Sequence, residues 1–139
     1  MTLDELSEVY RLKTRREKLH GRMEEMRANA AAPRSSQWDG MPHSPRGRSS
    51  SVEQSALKLA AMGEQLSELD IAIIQAQKKV YRFISSLPDS KARLIMALRF
   101  VDCLTWEEVA QGISSDTTDF EVKRYCYRRL SAQENENRA

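Results

Sequence analysis

The sequence predicts an all-α protein, a helical hairpin or coiled coil followed by three short helices. Three observations carry that expectation. Charged residues make up 30% of the 139 residues and aromatics 6%, a balance that suits solvated helices better than a sandwich of aromatic and β-branched strands. Leu59, Met62, Leu66, Leu69, Ile73, Ala76, Val80, Phe83 and Leu87 follow one another at alternating steps of 3 and 4, which is the a/d seam of a heptad helix. Four pairs, Thr2 with Glu5, Ser50 with Glu53, Thr105 with Glu108 and Thr118 with Glu121, have the spacing of capping boxes, in which each side chain satisfies the other's orphan amide at a helix start.

The elements follow in chain order. Residues 1–30 form an N-terminal amphipathic helix, over about 2–29, opened by the Thr2 box and carrying Leu3, Leu6, Val9, Tyr10, Leu12, Leu19, Met23 and Met26 at helical spacing. Residues 31–51 hold three prolines, two glycines and six serines. Proline removes backbone donors and serine competes for them, so this stretch is expected to be a flexible linker. The long heptad helix occupies 52–87 and would span roughly 54 Å at 1.5 Å per residue. Its seam needs a partner, either the first helix folding back in cis or a second copy of the chain. Pro88 ends it. A new helix starts at Pro88-Asp89-Ser90 and places Leu94, Leu98 and Val101 on one face. Thr105 opens a short helix to about Ile113, Ser114 to Thr117 form a turn, and Thr118 opens a last helix to about Ser131 with Val122, Cys126 and Leu130 inward. The polar tail, 133–139, is expected to be disordered.

Composition excludes several classes. The formal net charge is +2, from 22 basic and 20 acidic side chains, so nucleic-acid binding must be sought in local clusters rather than in the total. No apolar run approaches the ~18–20 residues that cross a bilayer, and the acidic opening MTLDELSEVY lacks the apolar core of a secretory signal. Cys103 and Cys126 do not form a disulfide framework. The expectation is a soluble protein of the cytoplasm. No Ser-His-Asp set, phosphate loop or nucleotide fingerprint is present, so neither an enzyme nor a cofactor is expected. With His20 and His43 remote from both cysteines there is no structural zinc set either, and both thiols are read as buried or half-buried.

Function is sought in residues 88–132, whose three helices have the form of a helix-turn-helix. Ala110 supplies the small residue where the last helix crosses the middle one. Lys123, Arg124, Arg128 and Arg129 place four cations within seven residues, and Lys123, Arg124, Tyr127 and Arg128 face away from the apolar side, as a helix lying in a major groove requires. The alternative is an ordinary solvated helix face. Glu107 and Glu108 point about 100° apart on a helix and are read as capping and surface groups. Trp106 is read as packing across the middle helix. Phe120 is read as packing in the core or turn, with a DNA wedge as the alternative. The linker motif Trp38-Asp39-Gly40-Met41-Pro42-His43 is either a hinge or a docking peptide, and Arg34, Arg46 and Arg48 offer nonspecific phosphate attraction.

Arg99-Phe100, then Leu104-Thr105-Trp106-Glu107-Glu108-Val109-Ala110, then the basic helix from Val122 to Leu130 resemble region 4 of bacterial sigma factors. The whole arrangement, with Met41-Pro42 between two helices, is similar to a family of small phage and prophage proteins of Gram-positive bacteria regarded as regulators of late transcription. Two departures stand out. Ser114 occupies the usual glycine position, and Ala110 to Val122 spans 12 residues, about two more than that pattern has. The resemblance implies a phage-encoded, sigma-region-4-like DNA-binding transcriptional regulator in a bacterial host cell, with double-stranded DNA as partner and RNA polymerase as a further one. It implies Thr118, Asp119, Lys123, Arg124 and Tyr127 as base readers and Arg128 and Arg129 as phosphate contacts. Neutralising about 3–5 phosphates would give a log–log salt slope of about −3 to −5. One recognition helix reads few base pairs, so a homodimer paired through Leu59, Met62, Leu66, Leu69, Ile73, Val80 and Phe83, or a polymerase-bound complex, is expected to supply specificity. The competing expectation is a protein–protein adaptor or inhibitor without a specific DNA site.

Overall fold

The computed structural model describes residues 1–31 and 46–139. The chain is all-α, and no strand occurs among the described residues. Its helices are α1 (Leu3–Leu6), α2 (Glu8–Ala31), α3 (Arg46–Ser86), α4 (Ser90–Met96), which runs on into a π-helical turn (Ala97–Val101), α5 (Trp106–Ile113) and α6 (Asp119–Arg138). No described helix is long and apolar enough to cross a membrane.

Local chemistry explains the starts. Thr2, Thr105 and Thr118 each accept from the backbone amide three residues on, and Glu5, Glu108 and Glu121 each return the bond to the threonine backbone, so three of the four capping boxes form. Ser50 is not a helix start, because α3 already begins at Arg46. The linker expected over 31–51 therefore loses 46–51 to the helix. Pro45 stands just before that start in the sequence, and proline is compatible with a first helical turn because its ring presets φ and its missing amide would be an orphan there anyway. The Trp38–His43 motif and Arg34 lie outside the described residues, as do the side chains of Arg46 and Arg48.

The chain divides into two compact units, Met1–Lys13 with Ala72–Ala139, and Thr14–Ile71. In the first unit the three C-terminal helices, expected as a segment of their own from 88, share a core with residues of α1, α2 and α3. Leu6, Val9, Val80, Ile84, Leu87, Ile95, Met96, Phe100, Val101, Val109, Ala110, Val122, Cys126 and Leu130 form one buried cluster. The lower heptad seam is thus filled in cis: Ile73, Val80 and Leu87 are buried, and Ala76 and Phe83 pack on the cluster. Lys13 Nζ donates to the Val101 carbonyl at 2.9 Å, placing a cation on the carbonyl end of the α4 turn, where it opposes the negative pole of the helix dipole. In the second unit Arg16 and Asp70 form an ion pair and Met23 is buried, whereas Leu59, Met62, Leu66 and Leu69 are only half-buried.

The segment after Pro88 departs from simple helical spacing. Asp102 N–H bonds to the Ala97 carbonyl at 3.1 Å, a five-residue step that winds one extra residue into the turn. The core-facing set becomes Ala92, Ile95, Met96, Phe100 and Val101, and Leu94, expected inward, is 48% exposed. Cys103 then turns the chain with φ +61°, a left-handed conformation that costs a non-glycine residue roughly 1–2 kcal/mol. The closure Leu104 N–H to Leu98 O at 3.1 Å and Arg99 Nη1 to Leu104 O at 2.7 Å hold it there. Ser114, at the position where glycine was anticipated, has φ −164° and ψ 146°. That is extended backbone open to any side chain, so the turn needs no glycine. The tail is also corrected: α6 continues to Arg138, through Ala132, Gln133, Glu134 and Glu136, several of them strong helix formers.

Candidate nucleic-acid interface

α6 is amphipathic by construction. Val122, Cys126 and Leu130, four residues apart, are buried in the shared core. At about 100° per residue, Phe120, Arg124, Tyr127 and Arg128 project from the opposite side with Lys123 flanking them, and all five are exposed. α5 and α4 pack against α6 and hold its buried face, which leaves the cationic face to solvent. Among the described residues Lys123, Arg124 and Arg128 have no carboxylate within ion-pair distance.

Arg129 belongs to a different environment from these three. Its Nε lies 3.2 Å from Asp89 Oδ2 and its guanidinium 5.5 Å from the Tyr125 ring centroid. Asp89 is also the N-cap of α4, accepting from Lys91 N–H at 3.0 Å, and it accepts the Tyr125 hydroxyl proton. Lys91 Nζ sits 4.8 Å over the Tyr125 ring, completing a knot of charge-assisted and cation–π contacts between α4 and α6. The Tyr125 hydroxyl holds the Asp89 carboxyl below its ordinary range, opposed by desolvation and helped by weaker effects of the Lys91 amide and the Arg129 charge. Arg129, expected as a phosphate contact, is half-exposed and engaged within the molecule. Sequence spacing places Tyr125 and Arg129 one turn apart, but nothing local points to their shared partner Asp89, 36 residues before Tyr125.

Other cations are engaged in the same way. Arg93 Nη1 donates to Leu87 O at 2.9 Å, and Arg99 stacks 4.8 Å from the Trp106 centroid. Trp106 is half-buried on the core, as expected, and its ring lies 6.0 Å from that of Tyr127 at a 53° tilt. Tyr127 is thus braced by the middle helix, with its accessible edge beside Arg124 and Arg128 on the α6 surface. Thr118 uses its hydroxyl oxygen to cap α6, 3.3 Å from Glu121 N. Glu121 is spent in the same box, while Asp119 stays exposed in the first turn, where a carboxylate suits the helix dipole. Glu108 is likewise a capping group, 2.8 Å from Thr105 N, and Glu107 is exposed.

Phe120 reverses its expectation. It is 67% exposed, packed into neither core nor turn, and stands at the second position of α6 in line with Arg124 and Tyr127. Cys126 is fully buried and its thiol is pushed up to about 12 by that burial. Cys103 is half-buried with its thiol also raised, chiefly by desolvation. No three or more His, Cys, Asp or Glu side chains converge among the described residues. The surface therefore offers three outward cations, a braced phenol and an unburied phenyl ring on one helix. No protein-family profile, curated protein or solved structure matches the chain.

Proposed function

We propose that this protein is a non-enzymatic, DNA-binding transcriptional regulator that acts in the cytoplasm of a bacterial cell. In this reading α4, α5 and α6 serve as a sigma-region-4-like helix-turn-helix and α6 is the recognition helix. The carrying observation is the exposed set of Arg124 and Arg128 opposite the buried Val122, Cys126 and Leu130, with exposed Lys123 on the flank. A helix with a cationic exposed face and a firmly packed back is what entry into a major groove requires. The motif resemblance over 88–132 supports the same reading and favours a phage-encoded regulator. Lys123 and Arg124 are assigned to base edges and phosphates, Tyr127 to base contact beside them, Arg128 to phosphate, and Thr118 and Asp119 to the groove-facing tip.

Useful specificity from one helix calls for a second copy or a polymerase-bound complex. A homodimer is favoured by the half-buried Leu59, Met62, Leu66 and Leu69, which retain apolar surface that the cis hairpin leaves uncovered. Ile73, Val80 and Phe83 are removed from that dimer surface because the core of the first unit occupies them. The test is fluorescence anisotropy with duplex DNA taken from upstream of the protein's own coding region, across a salt series. Wild type is compared with the Lys123→Ala/Arg124→Ala double variant, and sedimentation gives the stoichiometry. Binding by wild type and its loss in a folded double variant is the expected result. Equal binding by both would remove α6 as the reader.

A second reading, a protein–protein adaptor or inhibitor acting on RNA polymerase or another protein, is favoured by the exposed Ile74 and Tyr81 on α3. They lie seven residues apart and so on one helical stripe, away from the buried Val80 and Ile84. Absence of DNA binding together with co-purification of polymerase would select it.

A further inference from the structure

We propose that Phe120 reads the C5-methyl group of a thymine, so that the DNA site contains an obligatory thymine facing the tip of α6. This inference rests on the DNA-binding reading and adds the base class that the tip selects. Phe120 is 67% exposed although it is one of only three phenylalanines in the chain, and Phe83 and Phe100 both pack into the core. A phenyl ring held in water at the head of a cationic helix face has lost the burial that stabilises its counterparts. It regains that burial only when something apolar covers it.

Position and charge name the occupant. The N-terminal residues of a recognition helix contact base edges, while positions further along reach the backbone. Phe120 occupies the second residue of α6, with Arg124 one turn further on and Arg128 two turns on. Those two cations, with Lys123, complement phosphate, and the neighbouring Asp119 repels it. The helix tip is therefore suited to the floor of the groove rather than its rim. A phenyl ring makes no hydrogen bond, so the base-edge group in the major groove that it can distinguish is the thymine methyl. A wedge driven between base steps belongs to minor-groove binders that kink the duplex, whereas the α6 face presents the ring alongside groove-binding cations.

The experiment uses the full chain. Duplexes are selected from a random-sequence DNA library, and each thymine of the selected duplex is then replaced singly by deoxyuridine, which removes the methyl and keeps the pairing. Wild type is expected to lose about fourfold in affinity at one position, the worth of one buried methyl. Phe120→Ala is expected to bind the thymine duplex more weakly and to be indifferent to uracil there. Phe120→Leu, which keeps an apolar tip, is expected to retain part of the uracil penalty. Both variants should melt like wild type, since the ring supports no core contact.

Indifference of wild type to every uracil, or an unchanged uracil penalty in a folded Phe120→Ala, overturns the assignment while leaving DNA binding intact. DNA bending that depends on Phe120, without a methyl effect, also overturns it in favour of a wedge. Failure of wild type to bind any duplex overturns the DNA-binding reading and this inference with it.

Discussion

Replacing Arg129 by alanine should leave the salt dependence of DNA binding unchanged, while replacing Arg124 should reduce it by about one counterion. The difference comes from where each guanidinium is held. Arg129 lies 3.2 Å from Asp89 and over Tyr125, whereas Lys123, Arg124 and Arg128 stand free of carboxylates among the described residues. Each neutralised phosphate contributes about −0.9 to the log–log slope, so three outward cations give about −2.7 per subunit, and loss of Arg124 gives about −1.8. Between about 50 mM and 200 mM salt, those slopes correspond to losses of about 40-fold and 12-fold in affinity. The Arg129→Ala variant should follow the 40-fold line, although its thermal midpoint should fall because the tie between α4 and α6 is cut. Anisotropy titrations of a labelled duplex at four or more salt concentrations measure the slopes, and circular dichroism checks the fold. A slope for Arg129→Ala as shallow as that of Arg124→Ala would refute the reasoning, since it would mean that Arg129 leaves Asp89 to meet phosphate.

Three further outcomes follow from the same packing. Leu6→Ala removes a fully buried side chain from the core shared with α4, α5 and α6 and should cost about 2–5 kcal/mol. Urea denaturation should then show the C-terminal helices unfolding earlier along with α1, and an unchanged transition for Trp106 fluorescence would contradict a common core. Alkylation of the native protein near neutral pH should modify Cys103 before Cys126. The Cys126 thiol, raised to about 12 and fully buried, should react only at the rate of global unfolding, and peptide mass mapping over time decides this. Asp89 has its carboxyl depressed below the ordinary 3.8. Its contribution is therefore complete above that value and disappears as pH falls through the lower folded value. Acid melts of Asp89→Asn should show a flatter decline in that range than wild type, and parallel declines would contradict the role of the Tyr125 hydroxyl and Arg129.

What could be read without coordinates was whatever chemistry acts within about two helical turns. The boxes at Thr2, Thr105 and Thr118 are contained in four-residue windows, so three helix starts were legible, and α5 ends at Ile113 as its apolar spacing implied. The inward set Val122, Cys126 and Leu130 was legible for the same reason. The beginning of α3 was not, because the serines of 49–51 have compositional marks of a linker yet modest helix penalties that a long packed helix overrides. The π turn at Ala97–Val101 was also hidden. It exchanges Leu94 for Ile95 and Met96 through a backbone hydrogen bond that no apolar period records. Two features of the α6 surface escaped as well. The partnership of Arg129 with Asp89 is a long-range match between helices, and the exposure of Phe120 contradicts the general preference of phenyl rings for interiors.

Because Leu6 and Val9 are cemented to the same nucleus as Val122 and Leu130, the three C-terminal helices are not a detachable cassette. On the ribosome, α1 and the head of α2 must wait, with their apolar flank unshielded, for more than a hundred later residues to be synthesised before they find their permanent seat. An excised segment 88–139 should inherit the cationic face without its keystone. Grafting this motif onto another protein therefore means transplanting residues 1–13 and 72–87 along with it.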